Sequence, residues 1–258
     1  MGEHTTWIHL IPAYWNLQEW AGKYLERHWK LEVVGLGRTH FTMIHVVIGV
    51  VVVLLLTLLG LSYRRRVAAS RDDRLVPESR FGVRNLFELI IDATLSIGEG
   101  VMGREKAEKF LPLLGTLVFF ILFNNIIGLV PGMVPATDTL KTNFGIALLV
   151  FFMTHIVGVK ESGMSYFKHF LGPIWWLTPL ILPIEIISHL IRPISLSLRL
   201  LGNMFADHKV LGTFFLLVPI LVPLPFYVLG ILVCVVQTLV FTLLSMIYID
   251  QAMAHEEH

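Results

Sequence analysis

A mostly apolar stretch of the sequence, residues 174–204, carries charged and titratable side chains of the kinds that bind and pass protons. Together with Asp207 just beyond it, the stretch holds Glu185, His189, Arg192, Arg199 and Asn203. On a helix at 100° per residue, all six fall within an arc of about 80°. Ser188 and Ser195 flank this arc. The spacing therefore predicts one polar stripe along a helix whose other faces suit lipid.

Arg199 is the member of the stripe that most needs a partner. An arginine at the centre of a membrane helix costs about 2.5–3.5 kcal/mol, and no acidic residue lies one helical turn from it in the sequence. Its counter-charge must then come from water or from another polypeptide. The alternative is that the stripe joins helices through internal pairs such as Glu185 with Arg192, yet it contains more polar groups than it can pair with itself. Arg192 and Lys209 are also close enough to helix ends for their side chains to reach a surface.

A second apolar run, residues 210–249, carries polar groups of its own. Gln237 and Tyr248 lie eleven residues apart in the sequence, hence about 20° apart on a helix, and Ser245 is near the same side. A glutamine in an apolar span most often forms a hydrogen bond to another helix. Opposite Arg199, it could instead serve the same site.

The composition indicates that these residues belong to a membrane protein. Of 258 residues, 55% are hydrophobic and 15% are charged, against about 25% charged in soluble domains, and the mean hydropathy is +0.72. The formal net charge of +1 argues against a nucleic-acid partner, which would favour a strongly basic surface. We predict an all-α integral membrane protein.

Five stretches are predicted to cross a bilayer, which takes about 20 mostly apolar residues, and the third of them is shorter than that. The first three are 41–61, 110–130 and 144–159, and residues 174–204 supply the fourth. The run 210–249 contains no charged residue and no histidine, and as one helix it would be about 60 Å long, twice the hydrocarbon thickness. Its natural fold-back points are Pro219, Pro223 and Pro225. The last two crossings are therefore expected to form a long, tilted hairpin.

The basic residues predict the orientation of the chain. Segment 63–109 holds ten of the 20 Lys and Arg residues, whereas loop 131–143 holds only Lys141. The first crossing is therefore expected to run inward, with the amino terminus outside and the carboxyl terminus in the cytoplasm. No basic start precedes a short apolar core, so we expect no cleavable signal peptide.

Segment 63–109 is also expected to contain an amphipathic helix along the cytoplasmic membrane surface. Its apolar positions are Leu86, Leu89, Ile90, Ala93 and Ile97, with Glu88 and Asp92 on the other side. The whole chain then divides into an extracytoplasmic segment 1–40, a first crossing 41–62, the basic segment 63–109, a hairpin 110–159, a hairpin 160–250 with the arginine stripe, and a cytoplasmic tail 251–258.

Four motifs resemble those of a known family, subunit a of the bacterial F-type ATP synthase membrane sector. The most specific is Arg192-Pro-Ile-Ser-Leu-Ser-Leu-Arg199-Leu-Leu-Gly-Asn203-Met. The others are Gln237-Thr-Leu-Val-Phe-Thr-Leu-Leu-Ser-Met-Ile-Tyr248, the ending Met253-Ala-His-Glu-Glu-His, and Phe123-Asn-Asn-Ile-Ile-Gly-Leu-Val-Pro131 with the loop Pro135-Ala-Thr-Asp-Thr-Leu. The resemblance covers about residues 80–250.

The resemblance implies a stationary proton-channel subunit beside a rotating ring of c subunits. Each ring carboxylate takes a proton from one aqueous half-channel and gives it up to a second, offset half-channel. Arg199 matches the arginine that drives this release and blocks a direct leak. The other positions assigned to the proton path are Glu185, Asn203, His208, Gln237 and Tyr248. Further candidates are His189, Asp207, Ser195 and His155.

The resemblance also implies the surroundings of the chain. The expected partners are the c-ring, the b subunits of the peripheral stalk, membrane lipid and the transported proton, in a bacterial inner membrane. We expect no cofactor and no metal. The sequence offers no serine–histidine–acid set or phosphate loop, so chemistry on ATP is expected to occur in a partner.

Position 230 departs from the family pattern. Many bacterial relatives carry a histidine there and mitochondrial ones an acid, whereas this chain has Gly230. His208 in turn resembles the mitochondrial pattern rather than the common bacterial glutamate. Either His208 acts with water alone, or another residue compensates, for which Asp207 and His155 are the candidates.

Two other functions compete with that of a proton-channel subunit. A self-contained ion-coupled transporter would need internal repeats and broken helices that meet at a substrate site, and the sequence displays neither. A purely structural membrane anchor would use the polar stripe only to hold helices together. Such an anchor should tolerate the loss of Arg199.

Overall fold

The computed structural model describes residues 8, 11–25, 44–69, 82–130, 132–163, 166, 175–217 and 223–253. Within these residues the chain forms α-helices, two short 3-10 helices and no strand. The seven α-helices are α1 (Pro12–Leu25), α2 (Ile44–Ala69), α3 (Val83–Met102), α4 (Arg104–Gly128), α5 (Leu140–Ser162), α6 (Thr178–Leu217) and α7 (Pro223–Met253). The predicted all-α class is confirmed.

Five of the helices, α2 and α4 to α7, are long and apolar enough to cross a membrane. This confirms the five predicted crossings, although the helices extend beyond the apolar stretches. Helix α4, for example, begins at Arg104, six residues before the predicted start. Its charged first turns remain helical because Arg104 Nε donates to Glu108 Oε1, one turn further on, at 3.0 Å.

Helix α6 is the longest, with 40 residues that continue through Pro183 and Pro193, and is therefore about 60 Å long. Since the hydrocarbon layer is about 30 Å thick, this helix must tilt or extend beyond it. The chain then folds back, and α7 begins at Pro223. Proline suits a helix start because the first N–H groups have no partner within the helix. The predicted break at Pro219 lies outside the described residues.

Helices α4 to α7 enclose the main core. Its buried side chains are Leu117, Ile121, Ala147, Val150, Leu196, Leu200, Met204, Cys234 and Phe241. Leu196, Leu200 and Met204 hold one face of α6 against the bundle, and the other faces of α6 stay outside. A smaller cluster joins α1 to α2 and includes Tyr14 and Ile48.

The predicted amphipathic helix is confirmed as α3, but only part of its predicted apolar face, including Ile97, packs against the chain. Leu86 and Leu89 are 36% and 60% exposed. The buried residues of α3 are Arg84, Phe87, Thr94, Gly98 and Met102. Gly98 permits this close packing, because a Cβ there would lie 3.1 Å from Ala107 Cβ of α4. The rest of the apolar face remains available to lipid, and its cytoplasmic placement stays a prediction.

Ion pairs connect the helices at one end of the bundle, which we call the tail end because α7 ends there. Lys106 Nζ of α4 donates to Asp250 Oδ1 of α7 at 2.9 Å, and Lys109 pairs with Glu161 of α5. The opposite end holds the α4–α5 connection, residues 132–139, and the start of α7. We call it the loop end.

Buried polar groups hold the α4–α5 connection on the bundle. Thr137 Oγ1 donates to Asn125 Oδ1 at 2.9 Å, and Asn143 Nδ2 donates to the Thr137 carbonyl oxygen at 2.7 Å. Pro135 packs directly on Gly128, where a Cβ would lie 2.7 Å from Pro135 Cγ. The connection is thereby fixed against the ends of α4 and α5.

We expect Gly128→Ala to destabilise the bundle by about 1–3 kcal/mol, because the added methyl group forces Pro135 to shift. Gly115→Ala in the same helix is the matched control. Apart from the adjacent helix backbone, nothing lies within 4 Å of the Cβ position at Gly115, and alanine favours the helix. Thermal unfolding of the purified chain in detergent compares the two variants. An unchanged transition for Gly128→Ala would contradict the contact with Pro135.

Candidate functional site

Arg199 lies near the middle of α6, on a face that the bundle leaves exposed. Within the part of the chain that the structure describes, it takes part in no hydrogen bond or ion pair. Ser195, Gly202 and Ala206 border it on the same side of the helix and are exposed as well. Because these neighbours are small, a second polypeptide can come close to the guanidinium.

Asn203, one turn beyond Arg199, bonds to the return helix α7. Its Nδ2 donates to Gln237 Oε1 at 2.5 Å, and Gln237 is only 3% exposed. Gln237 Nε2 is also buried and has no hydrogen-bond partner among the described residues. Gln237 thus forms a hydrogen bond between two helices, as a glutamine in an apolar span usually does. It lies near Arg199, but no contact between the two side chains is described.

His208 lies toward the loop end of α6, where it meets groups from the end of α4 and the α4–α5 connection. Its Nε2 is 2.6 Å from the carbonyl oxygen of Gly128, and its Nδ1 is 3.6 Å from Asp138 Oδ2. Because a carbonyl oxygen only accepts hydrogen bonds, Nε2 must carry a proton. Nδ1, which faces Asp138, is then the nitrogen that can gain or lose one.

Asp138 is a site residue that the sequence analysis missed. It is the only acidic residue between positions 110 and 159. A single acidic residue in an otherwise apolar hairpin is the feature of the sequence that could have identified Asp138. Its Oδ1 is buried without a hydrogen-bond partner among the described residues, so the carboxyl group is open to a further contact.

Asp207 lies beside Gly230, the position that departs from the family pattern. A Cβ on Gly230 would be 4.0 Å from Asp207 Oδ2 and 2.7 Å from Leu129 Cδ2. Asp207 Oδ2 is buried without a partner in the described part of the chain. The Asp207 carboxyl group therefore lies next to the space that a side chain at position 230 would enter.

A second polar group lies toward the tail end, between α5 and α6. His189 Nε2 is 3.2 Å from Glu185 Oε1, one turn away on α6. The His189 ring lies against that of His155 on α5, with centroids 5.3 Å apart. His155 also meets Tyr166 edge-on at 6.0 Å. Burial raises the pKa of Tyr166, so its hydroxyl stays protonated at neutral pH.

The structure separates His155 from Gly230. His155 and Tyr248 line the same small cavity, and Tyr248 is eighteen residues from Gly230 on α7, or about 27 Å along the helix. Of the two candidates to compensate for Gly230, the structure therefore favours Asp207.

Arg192 contacts a residue of α7 rather than a residue of its own helix, α6. Its Cζ lies 5.0 Å from the centroid of the Tyr248 ring on α7, within the range of a cation–π contact. Glu185 has His189 as its ion-pair partner. The internal pair of Glu185 with Arg192, which would have made the stripe only a device for holding helices together, is not formed between these two described residues.

The polar side chains of α6 thus form two groups at different depths, with Arg199 between them. Asp207 and His208 lie toward the loop end, and Glu185 and His189 toward the tail end. No cluster of three or more His, Cys, Asp or Glu residues that could hold a metal ion occurs among the described residues. The groups that are present bind protons and donate or accept hydrogen bonds.

Comparisons with known proteins agree on one family. A family model described as ATP synthase A chain matches residues 42–250. The chain is 49% identical to ATP synthase subunit a 1 of Syntrophotalea carbinolica over 211 residues, which cover 82% of this chain and 86% of the relative. It is 46% identical to ATP synthase subunit a of Bdellovibrio bacteriovorus over 199 residues, or 76% of this chain and 86% of the relative.

The bond between Asn203 and Gln237 predicts a coupling free energy between the two positions. Asn203→Leu leaves the buried Gln237 amide without its partner and should destabilise the chain by about 1–3 kcal/mol. Gln237→Leu leaves the half-buried Asn203 amide and should cost less. The double variant should be destabilised by about 0.6–1.7 kcal/mol less than the sum of the two single-variant destabilisations. Unfolding of all four proteins in detergent measures this cycle. Strict additivity would show that the bond contributes nothing.

Proposed function

The chain belongs to the ATP synthase A chain family, and on that premise we propose that it is the stationary proton-channel subunit of a bacterial F-type ATP synthase. Membership makes it a component of the membrane sector of that complex. The observation that carries the proposal is the position of Arg199. An exposed guanidinium in the middle of a membrane helix, without a partner among the described residues, needs counter-charges from outside the chain.

The proposed source of those counter-charges is a rotating ring of c subunits, each with one carboxyl group at membrane depth. A carboxylate about 4 Å from Arg199 would gain roughly 4 kcal/mol at an effective dielectric near 20. Because only the ionised form gains this energy, a protonated carboxyl group that arrives there is driven to give up its proton. The exposed small residues around Arg199 support an approach this close.

Arg199 also serves as the barrier in this proposal. A permanent positive charge between two half-channels repels any proton that would pass directly from one to the other. Arginine suits this task because it stays protonated, whereas a lysine in a buried place can lose its proton. Transport is then coupled to rotation, because the ring carboxylates carry every proton that crosses.

The first half-channel is proposed to open at the loop end and to lead through Asp138 and His208. His208 Nδ1 and the Asp138 carboxylate face each other at 3.6 Å, a distance that one water molecule or a small side-chain movement can bridge. Gln237 Nε2, buried and without a described partner, is available to orient water between this group and Arg199.

Asp207 is proposed to take the place of the proton-binding side chain that Gly230 lacks. Its Oδ2 is buried, without a described partner and next to the Cβ position of Gly230. The neighbouring residue His208 lies on the same stretch of α6. A carboxyl group and an imidazole at these two positions give the first half-channel two titratable groups in series.

The second half-channel is proposed to lead from Arg199 toward the tail end, where Glu185 is the acceptor. The Glu185 side chain is 27% exposed, so its carboxylate can reach the surface of the chain. Tyr248, which packs under Arg192, closes this region on the α7 side. The basic segment 63–109 includes the start of α4 at the tail end, so the positive-inside rule places that end in the cytoplasm.

The surrounding complex completes the proposal. Peripheral-stalk b subunits hold the chain stationary in the bacterial inner membrane, with the amino terminus outside, and lipid covers the remaining apolar faces. Each proton that crosses 100 mV supplies about 2.3 kcal/mol, so several must pass for each ATP made. The chemistry on ATP takes place in a partner.

We predict that Arg199→Lys abolishes ATP-driven proton pumping and ATP synthesis while the complex still assembles, because lysine can lose its charge at this site. Proton uptake by vesicles that contain the reconstituted complex is the measurement. Arg104→Lys is the matched control, since the Arg104 side chain is 75% exposed at the tail end. Normal pumping by Arg199→Lys would refute the proposed function.

We predict that Asp207→Asn lowers pumping by about a hundredfold, the usual loss when a proton-transfer group is removed. Asp92→Asn on the exposed side of α3 is the control. Adding Gly230→His together with Leu129→Ala, which clears the space that Leu129 now fills, should restore part of the rate. If Asp207→Asn pumps as fast as the control, Asp207 has no part in the half-channel.

A further inference from the structure

The proposed second half-channel contains a gap. Glu185 and Arg199 are 14 residues apart on α6, which is about 21 Å along the helix. A direct proton transfer needs donor and acceptor atoms about 2.6–3.2 Å apart. A proton given up near Arg199 therefore needs other groups between the two residues if it is to reach Glu185.

A small cavity between α5 and α6 lies within this interval. Its wall includes Leu196, one turn from Arg199, and the polar side chains of His155, His189 and Arg192. The cavity has a volume of about 10 Å³, close to what one water molecule requires. The wall is mostly apolar, and His155, His189 and Arg192 are among the groups beside the cavity that can exchange a proton or a hydrogen bond with a water molecule there.

His155 has one ring nitrogen that is set up to accept a proton. Its Nδ1 is 2.8 Å from the carbonyl oxygen of Phe151. Since a carbonyl oxygen only accepts, Nδ1 keeps its hydrogen, and Nε2 of the neutral ring carries the lone pair. The adjacent ring is that of His189, whose Nε2 is 3.2 Å from Glu185 Oε1.

Building on the proposed function, we propose that His155 and His189 are proton-transfer residues of the second half-channel. They carry protons from the cavity to Glu185 along the contact between α5 and α6. Each imidazole takes up one proton and gives one away. His155 takes up and gives away its proton at Nε2, because Nδ1 stays bonded to the Phe151 carbonyl oxygen. His189 takes up a proton at Nδ1 and gives its Nε2 proton to Glu185, which releases it to water at the tail end. A turn of the His189 ring then restores its starting tautomer.

The charges around the two rings allow one proton at a time. His189 is faced by Glu185 and Arg192 from its own helix and by His155 from α5, while Tyr166 faces His155. Two imidazolium ions with ring centroids 5.3 Å apart, next to the permanent charge of Arg192, would repel each other. Glu185 is the acidic group that draws the single proton onward.

The test replaces each histidine by glutamine in the whole complex, reconstituted in lipid vesicles. Glutamine can still donate a hydrogen bond to Glu185 or to the Phe151 carbonyl oxygen, but it does not take up a proton. His45→Gln is the matched control, because His45 Nδ1 bonds a carbonyl oxygen of the α4–α5 connection far from the cavity. Subunit content, ATP-driven pumping and passive proton conduction after removal of the catalytic sector are measured for each variant.

We expect His189→Gln and His155→Gln to assemble normally and to lower proton conduction by about tenfold or more. The dependence of conduction on pH should become flatter than in the unchanged complex. Added imidazole should restore conduction in His189→Gly. A purely structural role would leave the pH dependence unchanged in variants that assemble.

An unchanged rate of proton conduction in His189→Gln would overturn this inference. If His189→Gln does not assemble, an unchanged rate in His155→Gln would overturn it instead. Arg199→Lys, measured in parallel, separates this inference from the proposed function. Loss of pumping in Arg199→Lys together with full conduction in the glutamine variants overturns the histidine pathway alone. Normal pumping in Arg199→Lys overturns the proposed function itself.

Discussion

Every polar group at lipid depth needs a partner, and this constraint organises α6. Asn203 meets it through Gln237 on α7, and His208 meets it through Gly128 and the nearby Asp138. Arg199 meets it with no described residue of its own chain. A helix that pairs Asn203 and His208 within the chain and leaves the permanent charge of Arg199 outside needs a counter-charge from another molecule.

The crossings and the polar stripe could be predicted from the sequence because both are local properties. Hydropathy over about 20 residues identifies a membrane helix, and a fixed angle per residue places Glu185 and Arg199 on one side of it. The contact between His208 and Asp138 could not be predicted in this way, because it joins residues 70 positions apart through a connection held by buried polar groups. The same holds for the approach of Asp207 to Gly230.

The helix α3 shows a related limit of periodicity. The repeat of apolar residues correctly predicted a helix, yet Leu86 and Leu89 lie outside the protein, while Arg84 and Phe87 are buried. An apolar face can meet either protein or lipid, and the pattern alone does not distinguish them. What decided the packing was Gly98, whose lack of a side chain allows α4 to come close.

The unpaired guanidinium has a consequence for how the subunit is made. A copy of the chain whose α6 faces only lipid exposes this charge to acyl chains, at a cost of about 2.5–3.5 kcal/mol. A partner that carries a counter-charge removes that cost, so solitary copies are less stable than copies beside such a partner. Under the proposed function, the charge used for transport would thereby also favour assembled copies over solitary ones.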